Sequence, residues 1–126
     1  MQFEYTPEQI QLRKSVRDFA EAEIAPHVLE WDEDQIFPLE VIKKAGKLGY
    51  LGSIFPEELG GAGLGYIDYA IITEELARVD PSVGLIVAAH TSLCTNHIYL
   101  AGNEQQHEKY IPKLATGEWI GCWSLT

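Results

Sequence analysis

Residues able to do chemistry gather at a few places along this 126-residue chain. His90, Cys94 and His97 fall at i, i+4 and i+7, a spacing that puts two imidazoles and a thiol on one helical face, where they could be offered to zinc. No fourth ligand stands nearby and the flanking residues are apolar, so the expectation is packed side chains and no metal. Cys94 as a nucleophile would have only His90, one turn away, to activate it. Glu104-Gln105-Gln106-His107 matches the Glu-x-x-His of di-iron bundles, but that chemistry needs a second such motif and two more glutamates. Glu74 and Glu75 are adjacent and point apart on a helix, so they cannot share a proton as a catalytic dyad would; Glu74 and Arg78 have the spacing of an ordinary i,i+4 ion pair. The run Gly60-Gly61-Ala62-Gly63-Leu64-Gly65 invites a phosphate cradle, since glycine lets backbone amides approach an anion. The G-x-G-x-x-G register fails at Tyr66 and no P-loop lysine follows, which leaves tight loop packing as the expectation. No catalytic residue is assigned.

The elements that must position these groups read as helical. Thr6-Pro7-Glu8-Gln9 combines an N-cap, a proline at the first helical position and a Gln at N3, all of which serve the free amides of a helix start. Leu12, Val16, Phe19, Ala20 and Ile24 then form a single apolar stripe until Pro26 interrupts it. A short helical piece is predicted over 27–32. A further helix opens at Pro38, with Val41, Ile42, Ala45 and Leu48 on one face and Gly49 as its stop. Ser53 to Gly65 reads as a long ordered loop, because Ile54, Phe55 and Leu59 sit among its glycines. Residues 67–79 are helical, and Asp80-Pro81 caps and opens the next helix. That helix, 83–100, is apolar nearly all round, which predicts cover from neighbours on most of its surface. Asn103 to Gln106 repeats the capping pattern for a last helix ending near Gly117. From Glu118 to Thr126 the period changes to an alternation that reads as a strand.

Composition bounds the function. Nineteen acidic against nine basic residues give a formal charge of −10. Such a chain repels phosphate backbones and anionic lipid, so neither nucleic acid nor a membrane surface is an expected partner. Two cysteines do not make a disulfide scaffold and fit a reducing compartment. The N-terminus lacks a secretory pattern, and the longest apolar stretch, 82–94, is too short to span a bilayer. A hydrophobic share of 46% is enough for one real core.

Several segments, in order and from end to end of the chain, resemble the amino-terminal domain of the acyl-CoA dehydrogenases. They are Thr6-Pro7-Glu8-Gln9, Phe55-Pro56-Glu57-Glu58-Leu59-Gly60-Gly61-Ala62-Gly63, Thr73-Glu74-Glu75-Leu76-Ala77-Arg78, Tyr99-Leu100-Ala101-Gly102-Asn103-Glu104-Gln105-Gln106, and Lys109 through Gly117. The resemblance implies an all-α, bundle-like domain of about six helices over 1–117, followed by a terminal strand segment, 118–126, that opens a β domain. It implies FAD as cofactor, with Trp123, Leu125 and Thr126 on the flavin side, and Ala89, His90 and Leu93 of the central helix facing the acyl pocket. The implied reaction oxidises an acyl-CoA thioester to its trans-2-enoyl product: a glutamate removes the α-proton as hydride leaves the β-carbon for flavin. Electrons then pass to an electron-transferring flavoprotein. In the family the base lies in a later domain, so neither Glu74 nor Glu75 takes that role, and this stretch alone is expected to be inactive. The resemblance further implies a tetramer or dimer, in the cytoplasm or, for a eukaryotic source, the mitochondrial matrix. Two other readings stand beside it: a non-catalytic helical interaction module, and part of an acyl-CoA oxidase or related flavin monooxygenase.

Overall fold

A computed structural model describes residues 3–124. Helix α1 (Pro7–Glu23) starts where its capping box predicts: the Gln9 amide donates to Thr6 Oγ1 at 3.2 Å, and the Thr6 amide donates to Gln9 Oε1 at 3.0 Å. Pro26 breaks the run into a 3₁₀ turn, Ala25–His27, and a short helix α2 (Val28–Glu33). Helix α3 (Leu39–Lys47) buries Val41, Ile42 and Ala45, but not Leu48, which leaves the helix before its turn completes and stays exposed. Gly49 follows at φ +84°, the left-handed conformation that stops the helix.

Helix α4 (Tyr66–Val79) packs on α1 and on α5 (Pro81–Ala88). The break between α4 and α5 is Asp80, whose extended backbone frees its carboxylate to accept the Ser82 amide at 2.8 Å. The two helices come close because Gly84 has no side chain: a Cβ there would stand 2.5 Å from that of Ala77. The main core joins Val16, Phe19 and Ala20 of α1 and Ile24, which caps it, to Ile42 and Ala45 of α3, Ile72 and Leu76 of α4, and Val83 and Val87 of α5. Full burial of a residue such as Ile72 or Leu76 contributes roughly 1.5–3 kcal/mol. A second cluster, Phe55, Ile111 and Ala115, ties the 53–65 loop to helix α7 (Glu104–Ala115).

Beyond α5 the chain winds as a π-helix over Ala89–Thr95 and then as α6 (Asn96–Ala101). The central helix expected over 83–100 is therefore present but not uniform. Its predicted cover is also one-sided: Val83 and Val87 are buried, whereas Leu85, Leu93 and Leu100 are 68%, 47% and 71% exposed. The strand expected over 118–126 does not form among the described residues. Residues 118–124 run without a ladder, as a single extended segment must when no second strand lies beside it. Leu125 and Thr126 lie outside the described residues. Within those described, no helix is long and apolar enough to cross a membrane.

Candidate functional site

The π turn and residues 117–124 meet in a buried seam. In a π turn the ring closes over five residues rather than four, so backbone carbonyls lose their α-helical donors and need others. Side chains supply them: Thr95 Oγ1 donates to the His90 carbonyl at 2.8 Å, and Ser92 Oγ to the Ala88 carbonyl at 2.7 Å. Thr91, fully buried, donates to the Leu51 carbonyl at 2.9 Å and so fastens the turn to the chain following α3.

His90 is also fully buried. The Gly121 amide donates to its Nδ1 at 2.9 Å, and its Nε2 lies 2.9 Å from the Leu114 carbonyl. An amide only donates and a carbonyl only accepts, so the ring is neutral with its proton on Nε2. Burial pushes its pKa down, against the pull of the Leu114 carbonyl. Gly121 is required for this approach: a Cβ there would meet Cys94 Sγ at 2.5 Å and Cys94 Cβ at 2.8 Å. Cys94, partly buried beneath that glycine, has its thiol pKa raised, first by desolvation and then by the nearby Cys122. A raised thiol pKa is opposite to what a nucleophile needs.

His90, Cys94 and His97, which α-helical spacing would put on one face, are not brought together as a group. The wider π winding turns His90 inward and leaves His97 at the surface, where the edge of its ring meets Trp123 at a centroid distance of 4.6 Å. Both nitrogens of His90 are taken by main chain, and among the described residues no group of three or more His, Cys, Asp or Glu could hold a metal ion. His107 packs against Tyr99, with ring centroids 5.4 Å apart.

The glycine run is closed to phosphate by its own hydrogen bonds. Amides from Gly60 to Leu64 donate in turn to the carbonyls of Glu57, Pro56, Gly52, Phe55 and Ser53, and the Gly65 amide donates to Asp68 Oδ2 at 2.9 Å. No donor in the run remains to face an anion.

Of the two adjacent glutamates, the structure singles out Glu75. Its side chain is almost fully buried on α4, yet it accepts from Arg13 Nε at 2.7 Å and from Arg17 Nε and Nη2 at 2.9 and 2.8 Å, with Arg78 Nε at 3.3 Å. The Arg17 hydrogen bonds, reinforced by Arg13 against the cost of burial, hold its pKa at about 2. The i,i+4 pair expected between Glu74 and Arg78 does not form: Arg78 turns to Glu75 and Glu21, and Glu74 stands 3.8 Å from Arg13. Sequence reasoning missed this hub. Its trace was available, since Glu75 shares the buried face of α4 with Ile71, Ile72 and Leu76, and Arg13 and Arg17 are one turn apart on α1.

The third feature is apolar and open. Leu85, Ala89 and Leu93 follow one another at single-turn spacing, Ala89 half-buried between two exposed leucines, on the helix that carries His90 inward. The stripe runs toward His97 and the Trp123 ring, itself 40% exposed.

Residues 6–118 match the family model described as acyl-CoA dehydrogenase, N-terminal domain. The chain is 46% identical over 126 residues, its whole length, to an acyl-CoA dehydrogenase, short-chain specific, from Clostridium acetobutylicum, and covers 33% of that protein. Its fold is similar to that in a glutaryl-coenzyme A dehydrogenase complex with glutaryl-CoA, with a TM-score of 0.92 and 35% identity over 96% of this chain and 31% of that one. It is likewise similar to an acyl-CoA dehydrogenase complexed with FAD from Bacillus anthracis, with a TM-score of 0.85 and 34% identity over 91% of this chain and 20% of that one. The chain spans about a third of the length of the curated relatives it matches.

Proposed function

Because the chain belongs to the acyl-CoA dehydrogenase N-terminal domain family, we propose that it works as the helical wall of an FAD-dependent enzyme oxidising acyl-CoA thioesters to trans-2-enoyl-CoA. The observation that carries this reading is the exposed stripe of Leu85, Ala89 and Leu93, whose single-turn spacing continues to His97 and the Trp123 ring against it. An apolar wall of this kind excludes water from an acyl chain and leaves room at Ala89 for its tail, which strengthens every polar interaction at the reacting carbons. Ala89 and Leu93 touch the acyl group in this reading, whereas His90, expected on the pocket side with them, is fully buried and stands behind them as their internal anchor.

The residues present fit a planar aromatic cofactor. The Trp123 ring is 40% exposed, Cys122 and Ser124 on either side are exposed, and the segment has no ladder partner among the described residues. Trp123, Leu125 and Thr126 are the positions that would hold FAD. FAD, when bound, supplies the acceptor for the hydride. The chain's own part is to orient and to dry the site. Neither Glu74 nor Glu75 is the base that takes the α-proton: Glu75, near pKa 2 and locked between arginines, is too weakly basic, and Glu74 lies beside it on the α1 side.

We further propose residues 1–117 as the helical domain and 118–126 as the first strand of a β domain. On its own the chain would not turn over. The complete enzyme would act as a tetramer or dimer in the cytoplasm or mitochondrial matrix and pass electrons to an electron-transferring flavoprotein. The test is a chimera in which this chain replaces the matching third of the Clostridium acetobutylicum relative. The expected result is a yellow protein whose flavin bleaches on adding a short acyl-CoA, while the separate chain shows no turnover. A chimera with native helix content that binds no FAD overturns the reading.

A further inference from the structure

His90 is the only ionisable side chain of the central helix that is wholly buried, and nothing in the proposed chemistry uses its ring directly. Three observations converge on it. Its two nitrogens join parts of the chain 24 and 31 residues further on, Leu114 at the end of α7 and Gly121 beyond it. Gly121 can come near only because it lacks a Cβ, the space being taken by Cys94. The ring is carried inward by a π turn, a winding that requires extra hydroxyl bonds from Ser92 and Thr95 to complete its backbone.

We propose that His90 is a positioning residue, a rivet between the central helix and the 118–124 segment that sets where Trp123 stands for the flavin. The claim about FAD rests on the reading of Trp123 given above; the hold on Gly121 does not. The Leu114 carbonyl already accepts the Gly117 amide at 3.0 Å, so loss of the imidazole leaves it satisfied. The Gly121 amide, in contrast, loses its acceptor. Release of that one bond loosens residues 121–124, beyond Trp119, whose amide is held by the Lys113 carbonyl at 3.0 Å, and Ile120, which packs against the main core. Trp123 then keeps its contact with His97, and Cys122 its backbone contact with Cys94.

Two substitutions separate anchoring from mere filling. His90→Asn places an amide oxygen where Nδ1 stands and keeps an acceptor for Gly121; His90→Leu fills similar space with none. Amide hydrogen exchange of the chain, read by NMR, should show Gly121 protected in the native protein and in His90→Asn. In His90→Leu its exchange should rise about tenfold or more, the equivalent of one lost hydrogen bond, with Val16 and Phe19 of α1 unchanged. Gly121 exchange in His90→Leu equal to the native rate overturns the proposal. If His90→Leu loses protection everywhere, the native ring decides instead: nitrogen shifts showing a bare Nδ1 and a protonated Nε2 support it, and a proton on Nδ1 overturns it. The same substitutions placed in the chimera test the flavin side by FAD affinity, with Asn retaining binding and Leu weakening it about tenfold, the factor set by one hydrogen bond. Loss of Gly121 protection without any change in FAD affinity would leave the rivet standing and remove Trp123 from the flavin site.

Discussion

The α1–α4 interface and the seam beneath the π turn both join distant stretches of chain through a buried polar group, with opposite electrostatics. At the first, a charged Glu75 is reached by arginines whose guanidinium groups stay half in water. At the second, a neutral His90 meets only main-chain groups and is fully enclosed. An ion pair tolerates motion, because attraction falls off gradually with distance and water can stand in for a lost contact. A neutral hydrogen bond between buried partners is short-ranged and directional, so it fixes geometry more than it adds stability. The clamp suits the frame of the domain, and the seam suits the part of it that must present an aromatic ring at a set place.

The sharpest way to break this contrast is to strand the charge. Replacing Arg13 and Arg17 together by Leu leaves Glu75 buried with only the 3.3 Å contact to Arg78, and should cost about 3–5 kcal/mol in urea unfolding. Glu75→Leu should cost less, since the arginines it releases return to water; equal losses would mean that the clamp acts by packing rather than charge. Next comes the seam: Gly121→Ala drives a methyl group into Cys94 and should cost about 1–3 kcal/mol, with lost protection confined to 117–124. Loss of protection across α1 as well would deny the seam its local character.

Acid should take the two regions apart in different windows. The His90 pKa is depressed below its ordinary value of 6.5, so the unfolded chain takes up a proton that the native ring refuses, and stability present above pH 6.5 declines as the pH falls below it. The Glu75 pKa is depressed from 4.5 to about 2, so its contribution is intact above pH 4.5 and is lost as the pH falls through about 2. Unfolding measured from pH 8 to 2 should lose the upper decline in His90→Asn and the lower one in Glu75→Gln. The smallest effect is that of salt: 1 M NaCl should weaken the clamp by less than about 1 kcal/mol and leave Gly121 exchange untouched.

What could be read in the sequence was what acts locally. The Thr6–Gln9 and Asn103–Gln106 capping boxes form as their spacing requires, because each needs only four consecutive residues. The stripe of α1 finds the core, since 3.6-residue periodicity survives whatever it packs against. The Glu75 hub escaped because its partners on α1 are 58 and 62 residues away, and i,i+4 spacing pointed to Glu74 and Arg78 instead. The π turn has no local signature, as one added residue per turn changes no capping pattern. It also undid the shared face assumed for His90, Cys94 and His97. The alternation over 118–126 describes a strand's side chains, but a ladder needs a neighbour that the alternation cannot supply. The family was legible through ordered segments rather than through any one chemical group, which is natural for a domain that shapes a cleft.

The π turn over Ala89–Thr95 is an α-helix holding one residue too many for its length. Anywhere in α4, dropping a residue would rotate everything downstream by about 100° and destroy the match of its buried side chains. Here a single-residue deletion, at Ser92 for instance, could be absorbed by tightening to ordinary α pitch, leaving Pro81–Ala88 and Asn96–Ala101 in register while swinging the imidazole away from Leu114. The bulge is thus the one place on this helix where the chain can change length by a residue, and with it the depth of the wall, without rebuilding either end.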